Sequence, residues 1–152
     1  MELRFRRAEE ADRSALVPLV QEYLDQLALD AAQDAAESFI EAAFDRATPG
    51  RGGLFVADVD GRVAGAFHLL PHLRVELGGP GLFIEMVIVV SELRGRGIGR
   101  RIFEFLADYA VRNRFRGILF EMEQGDPRLT EFLADAGYEY RTSGVFLRHI
   151  ED

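Results

Sequence analysis

LFIEMVIVVSELRGRGIG, residues Leu82 to Gly99, is the stretch on which the fold turns. Leu82 to Val90 is a nearly continuous apolar run of strand length, rich in β-branched residues, as expected of a central strand covered on both faces. A polar turn follows and leads into Arg94, Gly95, Arg96, Gly97, Ile98 and Gly99. Beyond it Ile98, Ile102, Phe105, Leu106 and Tyr109 recur at helical spacing. A strand that passes through glycines into a helix leaves successive backbone N–H groups pointing one way, and glycine lets a ligand come close to them. The segment therefore reads as a cradle for a pyrophosphate, with Arg94, Arg96 and Arg100 adding positive charge.

On the N-terminal side, Leu3 to Arg7 alternates as a short strand. Leu16, Leu19, Val20, Tyr23, Leu24 and Leu27 then mark one face of a first helix, which Pro18 is expected to bend. A second helix is predicted from Asp30 to Asp45. Ala32, Ala36, Phe39, Ile40 and Ala43 lie on one side of it, and an acidic stripe of Asp30, Asp34, Glu37, Glu41 and Asp45 on the other. After a loop at Thr48 to Gly53, Leu54 to Val59 and Arg62 to Leu70 form a hairpin closed by Asp60 and Gly61, a pair suited to a two-residue turn. On the C-terminal side, Gly117 to Met122 is another strand. Asp126 and Pro127 start a last helix that Gly137 ends, and Tyr138 to Tyr140 and Val145 to His149 complete the sheet. The expectation is a single domain over residues 1–152 of mixed α/β class. Its sheet would be mixed but mostly antiparallel, with six to seven strands flanked by about four helices.

Composition narrows the function. The 152 residues contain no cysteine, which excludes thiol catalysis, disulfides and thiolate zinc sites, and three histidines are too few for a histidine-rich metal centre. All 18 basic residues are arginine, so no lysine can serve as a catalytic amine. The net charge of −8 disfavours nucleic acid and favours a cationic small molecule or peptide. No apolar run reaches bilayer-spanning length, and the first residues lack a signal-peptide core; a cytoplasmic protein without membrane contact is expected. The oligomeric state, a homodimer included, is left open.

Two known phosphate motifs compete for the cradle, and the first fails outright. The P-loop needs a lysine. The dinucleotide fingerprint has a strand, a glycine turn, a helix, a strand and then an acid, here Glu121, but Arg100 stands where its third glycine belongs and Ser91 to Arg94 intervene before the first. Arg94-x-x-Gly97-x-Gly99 after a strand instead resembles the R/Q-x-x-G-x-G/A motif of the GNAT superfamily of acetyl-CoA-dependent N-acetyltransferases. The likeness runs through nearly the whole element order, to Ala136-Gly137-Tyr138, which is similar to the family's late L-G-F/Y turn.

The resemblance implies that backbone amides of residues 94–99 hold the pyrophosphate of coenzyme A, and that Val87, Ile88 and Val89 bond the pantetheine arm through their main chain. It further implies a cleft where this strand splays from the next. The reaction would be direct attack of a primary amine on the thioester, with acetyl-CoA as co-substrate and no metal. Glu85 is the only charged residue between Leu82 and Val90 and resembles, by position, the strand glutamate that serves as base in many members. Burial in such a strand also favours a carboxyl that titrates nearer neutrality. A backbone N–H near Val87 or Ile88 would stabilise the oxyanion. The family's acid tyrosine, four residues before the late glycine, is replaced by Leu133, which leaves the thiolate to water or to Tyr138, Tyr109 or Ser143. That departure also makes a non-catalytic acyl-CoA-binding or regulatory module the rival reading. The acidic stripe suits either a solvated face or the acceptor mouth, and His68 and His72 are expected beside the loop after the hairpin, close to that mouth.

Overall fold

The run at 82–90 does become the strand at which the sheet divides. The protein is described by a computed structural model for residues 1–27, 31–45, 51–121, 127–141 and 146–150, in two units, Met1–Glu121 and Met122–Asp152. The first unit holds β1 (Leu3–Arg7), α1 (Arg13–Leu27), α2 (Ala35–Asp45), β2 (Gly53–Val59), β3 (Arg62–Arg74), β4 (Gly79–Val89), α3 (Ile98–Arg112) and β5 (Ile118–Phe120). The strands lie in chain order. The first four are antiparallel, and β5 is parallel to β4, the crossover between them being α3. The β2–β3 turn is the predicted one: Asp60 (φ 52°) and Gly61 (φ 86°) both take the left-handed conformation that a two-residue hairpin turn of this type requires.

Alternation along the strands gives each face of the sheet its own core. On one face Leu54, Val56, Ala66, Met86 and Ile88 pack under Leu16, Leu19 and Val20 of α1 and Ala36 and Ile40 of α2. On the other, Phe55 and Phe67 stack at 5.3 Å between ring centroids, and Phe5, Phe105 and Tyr109 close around them. A buried ionic knot joins the sheet to the start of α1. Arg6 of β1 bonds both carboxylate oxygens of Asp12, at 2.8 and 3.0 Å, and Asp58 of β2 at 3.1 Å, while Asp58 also accepts the Gly61 N–H at 2.8 Å.

Several boundaries move. α2 begins at Ala35 instead of Asp30, which lies outside the described residues. Asp34 marks the start, accepting both the N–H and the hydroxyl of Ser38. Helix propensity in the alanines at 31 and 32 does not extend the helix past that point. β3 continues to Arg74, four residues beyond the expected end, so His68 and His72 lie within the strand and not beside a loop. β5 is confined to Ile118–Phe120.

In the second unit α4 spans Pro127–Asp135 and ends at Gly137 (φ 93°), with the Tyr138 N–H bonded to the Leu133 carbonyl at 2.9 Å. The proposed Asp126 cap and Ser143 lie outside the described residues. Residues 138–141 and 146–150 are irregular, so five strands are found among the described residues where six to seven were expected. Alternating apolar residues supply strand propensity, but a strand exists only with a partner ladder, and none pairs with these segments among the described residues. No described helix is long and apolar enough to cross a membrane.

Candidate active site

β4 and β5 share a ladder only from Leu82–Ile118 to Ile84–Phe120. At the point where they part, β4 carries a bulge against β3. Met86 faces His68 and Ile84 faces Leu69, which leaves Glu85 as the extra residue. The bulge changes which groups look outward. Ahead of it the Leu82 N–H bonds the Gly117 carbonyl beside β5 at 2.9 Å; after it the Val90 N–H bonds back to Ala64 beside β3 at 2.8 Å. By alternation the main chains of Val87 and Val89 therefore face the side β5 has vacated. The Val89 carbonyl there accepts the Arg94 guanidinium at 3.0 Å, and the Glu85 carbonyl accepts the Tyr23 hydroxyl at 3.0 Å. By the same alternation the N–H groups of Val87 and Val89 and the Val87 carbonyl point away from the β3 ladder, and no bond to them outside the ladders is found among the described residues. Ile88 turns its backbone to β3 and its side chain into the α1–α2 core.

The same bulge puts Glu85 on the face of α1 and α2 beside Met86, with its Oε1 3.6 Å from His68 Nδ1. The Glu85 side chain is 43% exposed, so the expected burial is not met: the residue lies just past the last pair with β5. A proton taken there can pass to water. His68 is 8% exposed, lies edge-on to the Phe39 ring of α2 at 4.9 Å, and has no hydrogen-bond partner for Nδ1. Burial and then the charges of Glu85 and Glu121 push the Tyr23 phenol above its ordinary value, so its hydroxyl stays protonated and donates.

β4 runs through a short turn at Ser91–Leu93 into the start of α3. Gly95 (φ 79°) and Gly97 (φ 82°) are left-handed, and a Cβ built on Gly95, Gly97 or Gly99 meets nothing within 4 Å. No side chain caps the helix, and the N–H groups of Gly97, Ile98 and Gly99 have no acceptor among the described residues. These amides fit the diphosphate cradle read from the motif. The arginines divide. Arg96 and Arg100 are exposed at the helix start, whereas Arg94 turns back to Val89 and pairs with Glu22 of α1 at 2.6 Å. Its side chain braces the strand end and is not presented to the cradle.

Other predicted features lie elsewhere. The described members of the acidic stripe, Asp34, Glu37, Glu41 and Asp45, are exposed. Glu37 and Glu41 line a cavity of about 550 Å³ with Glu10, Arg13 and Val17, at the opposite end of α1 from Tyr23. Ten residues of helix make that about 15 Å. Arg13, whose guanidinium is held charged by Glu10 and then by Glu41 and Asp45, balances part of the stripe. Tyr109 belongs to the aromatic core on the α3 face, and His72 sits outside the Glu85 cluster, its ring 6.4 Å from Phe83. Leu133 and the Tyr138 hydroxyl are buried. Among the described residues no acidic or histidine cluster is arranged to hold a metal. Sequence reasoning missed Tyr23 and Phe39 as site residues. Helical spacing placed both on apolar faces, and the one signal available was the polar tip of Tyr23 within such a face.

Comparison with known proteins agrees with this architecture. Residues 16–138 match the model of the acetyltransferase (GNAT) family. Among solved structures, a possible acetyltransferase from Clostridium difficile 630 superposes with TM-score 0.80 at 14% identity, covering 100% of both chains. Ribosomal-protein-alanine N-acetyltransferase from Brucella melitensis biovar Abortus 2308 gives 0.77 at 17%, over 97% of this chain and 100% of that one. AAC(6')-Iy in complex with the bisubstrate analog CoA-S-monomethyl-acetylneamine gives 0.77 at 16%, over 99% of each. No curated protein matches the chain. The family match spans most of the sequence, from α1 to the turn after α4, and with it the forked strand and glycine turn have their place: the chain belongs to the acetyltransferase (GNAT) family.

Proposed function

We propose that this protein transfers the acetyl group of acetyl-CoA to a primary amine of a cationic small molecule or peptide, by direct attack with both substrates bound. The observation that carries the reading is the pair of main-chain edges left outside the ladder, at Val87 and Val89 on β4 and at the amides of Gly97, Ile98 and Gly99 where α3 starts. A diphosphate suits the amides, and an extended amide-bearing arm suits the strand edge as an added strand does. The bisubstrate analog held by one structural neighbour supports the same pairing of substrates.

Acetyl-CoA supplies an activated thioester carbonyl. The chain's own groups then act on it and on the amine. The Val87 N–H faces the vacated side and polarises the carbonyl oxygen. Glu85 takes the amine proton, with His68 beside its carboxylate. The N–C bond forms as the C–S bond breaks, and with Leu133 at the family's acid position the departing thiolate takes a proton from solvent at the open fork.

Acetyl-CoA at a hundredfold excess over its Kd should stabilise the protein by about 2.7 kcal/mol, raising Tm by roughly 5–10 °C, while NADH should not. Free thiol should appear across an amine panel, and Glu85→Gln should lower kcat at neutral pH with little change in acetyl-CoA affinity. Equal rates in that variant remove Glu85 as the base. Acetyl-CoA binding without thiol release on any amine favours a regulatory module, the reading that Leu133 supports.

A further inference from the structure

The residue that follows the last β4–β5 pair, Ile84 with Phe120, is a glutamate on both strands: Glu85 and Glu121. Phe120, the last residue of β5, packs its ring against Phe103 of α3 at 5.4 Å, and alternation carried one residue past the strand would turn Glu121 to the opposite face, that of α1 and α2. The bulge sets Glu85 on that same face. Tyr23 reaches this place from α1, its hydroxyl on the Glu85 carbonyl, and both carboxylates act on it. Glu121 has no ion pair or hydrogen bond among the described residues, and the arginine at this strand end, Arg94, is engaged by Glu22 and Val89. A second, independent feature points into the fork. His68, buried to 8% exposure, directs an unpartnered Nδ1 at Glu85 across 3.6 Å, a gap beyond hydrogen-bond length that a ligand donor or water can bridge.

We infer that the acceptor is a short diamine, with the attacking amine at Glu85 and the second, ammonium end held by Glu121 as the specificity-determining residue. This rests on the acetyl-transfer reading above. Once the attacking amine has given its proton to Glu85, both are neutral, and among the described residues no cation pairs with Glu121. A second ammonium on the same molecule balances it. Parallel strands lie about 4.8 Å apart, so carboxylates leaving them at one level match ammonium groups separated by three or four methylenes. The rings of Tyr23 and Phe39 offer apolar surface to that stem.

The test compares 1,4-diaminobutane with n-butylamine on the whole protein, by calorimetric binding in the presence of CoA and by thiol release from acetyl-CoA. The diamine should bind about tenfold more tightly, the value of one charge-assisted contact, and Glu121→Gln should remove that preference. Glu121→Asp should restore part of it. Equal binding of the two amines to the wild-type protein overturns the inference, as does a Glu121→Gln variant that weakens both alike. Thiol release separates the two claims. A diamine preference in binding without release on any amine removes the acetyl-transfer reading and leaves the diamine site standing. Release with n-butylamine as efficient as with the diamine does the reverse.

Discussion

Replacing Arg6 by methionine keeps the aliphatic stem and removes the charge that holds two buried carboxylates. Asp12 is 8% and Asp58 3% exposed, and between them they accept three bonds from the one guanidinium. Removing one partner of such a buried group costs about 3–5 kcal/mol because uncompensated charge is left behind. For a chain of this length that lowers Tm by roughly 6–20 °C, out of a total stability of about 5–15 kcal/mol. The pH dependence identifies the cause. In the wild-type protein the Arg6 bonds, working against burial, hold Asp12 below the usual carboxylate range. At Asp58 burial pushes upward, but the bonds from Arg6 and the Gly61 N–H outweigh it and the net direction is down. Depressed carboxylates contribute stability that is complete above the unfolded value of about 3.9 and is lost as pH falls through the lower folded values. Without Arg6, burial is the largest remaining influence on each carboxyl and pushes it upward, so the variant keeps less of this stability as pH climbs from 4 to 7. The difference between the two proteins should therefore widen from pH 4 to pH 7, as read by urea unfolding at matched m-values. A loss under about 1 kcal/mol at pH 7, or parallel pH profiles, would refute the assignment of this knot as a buried, mutually dependent group.

Two further substitutions separate ligand roles from scaffold roles at the start of α3. Gly97→Asp puts a carboxylate among the unfilled amides where a Cβ has room. The left-handed φ of 82° costs a side chain about 1–2 kcal/mol, so Tm should fall by only a few degrees while CoA stabilisation in a thermal melt disappears; retained stabilisation removes the cradle. Arg94→Met deletes a half-exposed ion pair and the bond to the Val89 carbonyl, together about 1–2 kcal/mol, and CoA affinity should change less than about threefold. A tenfold loss of affinity at unchanged Tm would instead put this guanidinium on the ligand.

What could be read from the chain and what could not follow from the range of the interactions. The Asp60-Gly61 turn, the β-branched run at 82–90 and the glycines opening α3 act through their own backbone preferences, so residue type suffices to place them. The same holds for the buried face of α3, where Ile102, Leu106 and Tyr109 sit as their spacing requires. Local preference failed where a partner decides. The apolar residues at 146, 147 and 150 have strand character yet are exposed and outside any ladder among the described residues. The site itself is built from such pair properties. Glu85 stands in a run with no glycine or proline to announce a bulge, and its orientation comes from a one-residue slip against His68 and Leu69 of another strand. That slip also reverses which main-chain groups face outward, so the edge at Val87 and Val89 and the placing of the carboxylate beside His68 are two consequences of one irregularity. Tyr23 meets Glu85 across 62 positions of sequence, and Glu121 gains its place only because β5 stops pairing one residue before it. A β4 paired to β3 in one register throughout would show the same residues in the same order but turn the main chains of Val87 and Val89 to β3 and those of Met86 and Ile88 to the other side, so this edge would not exist.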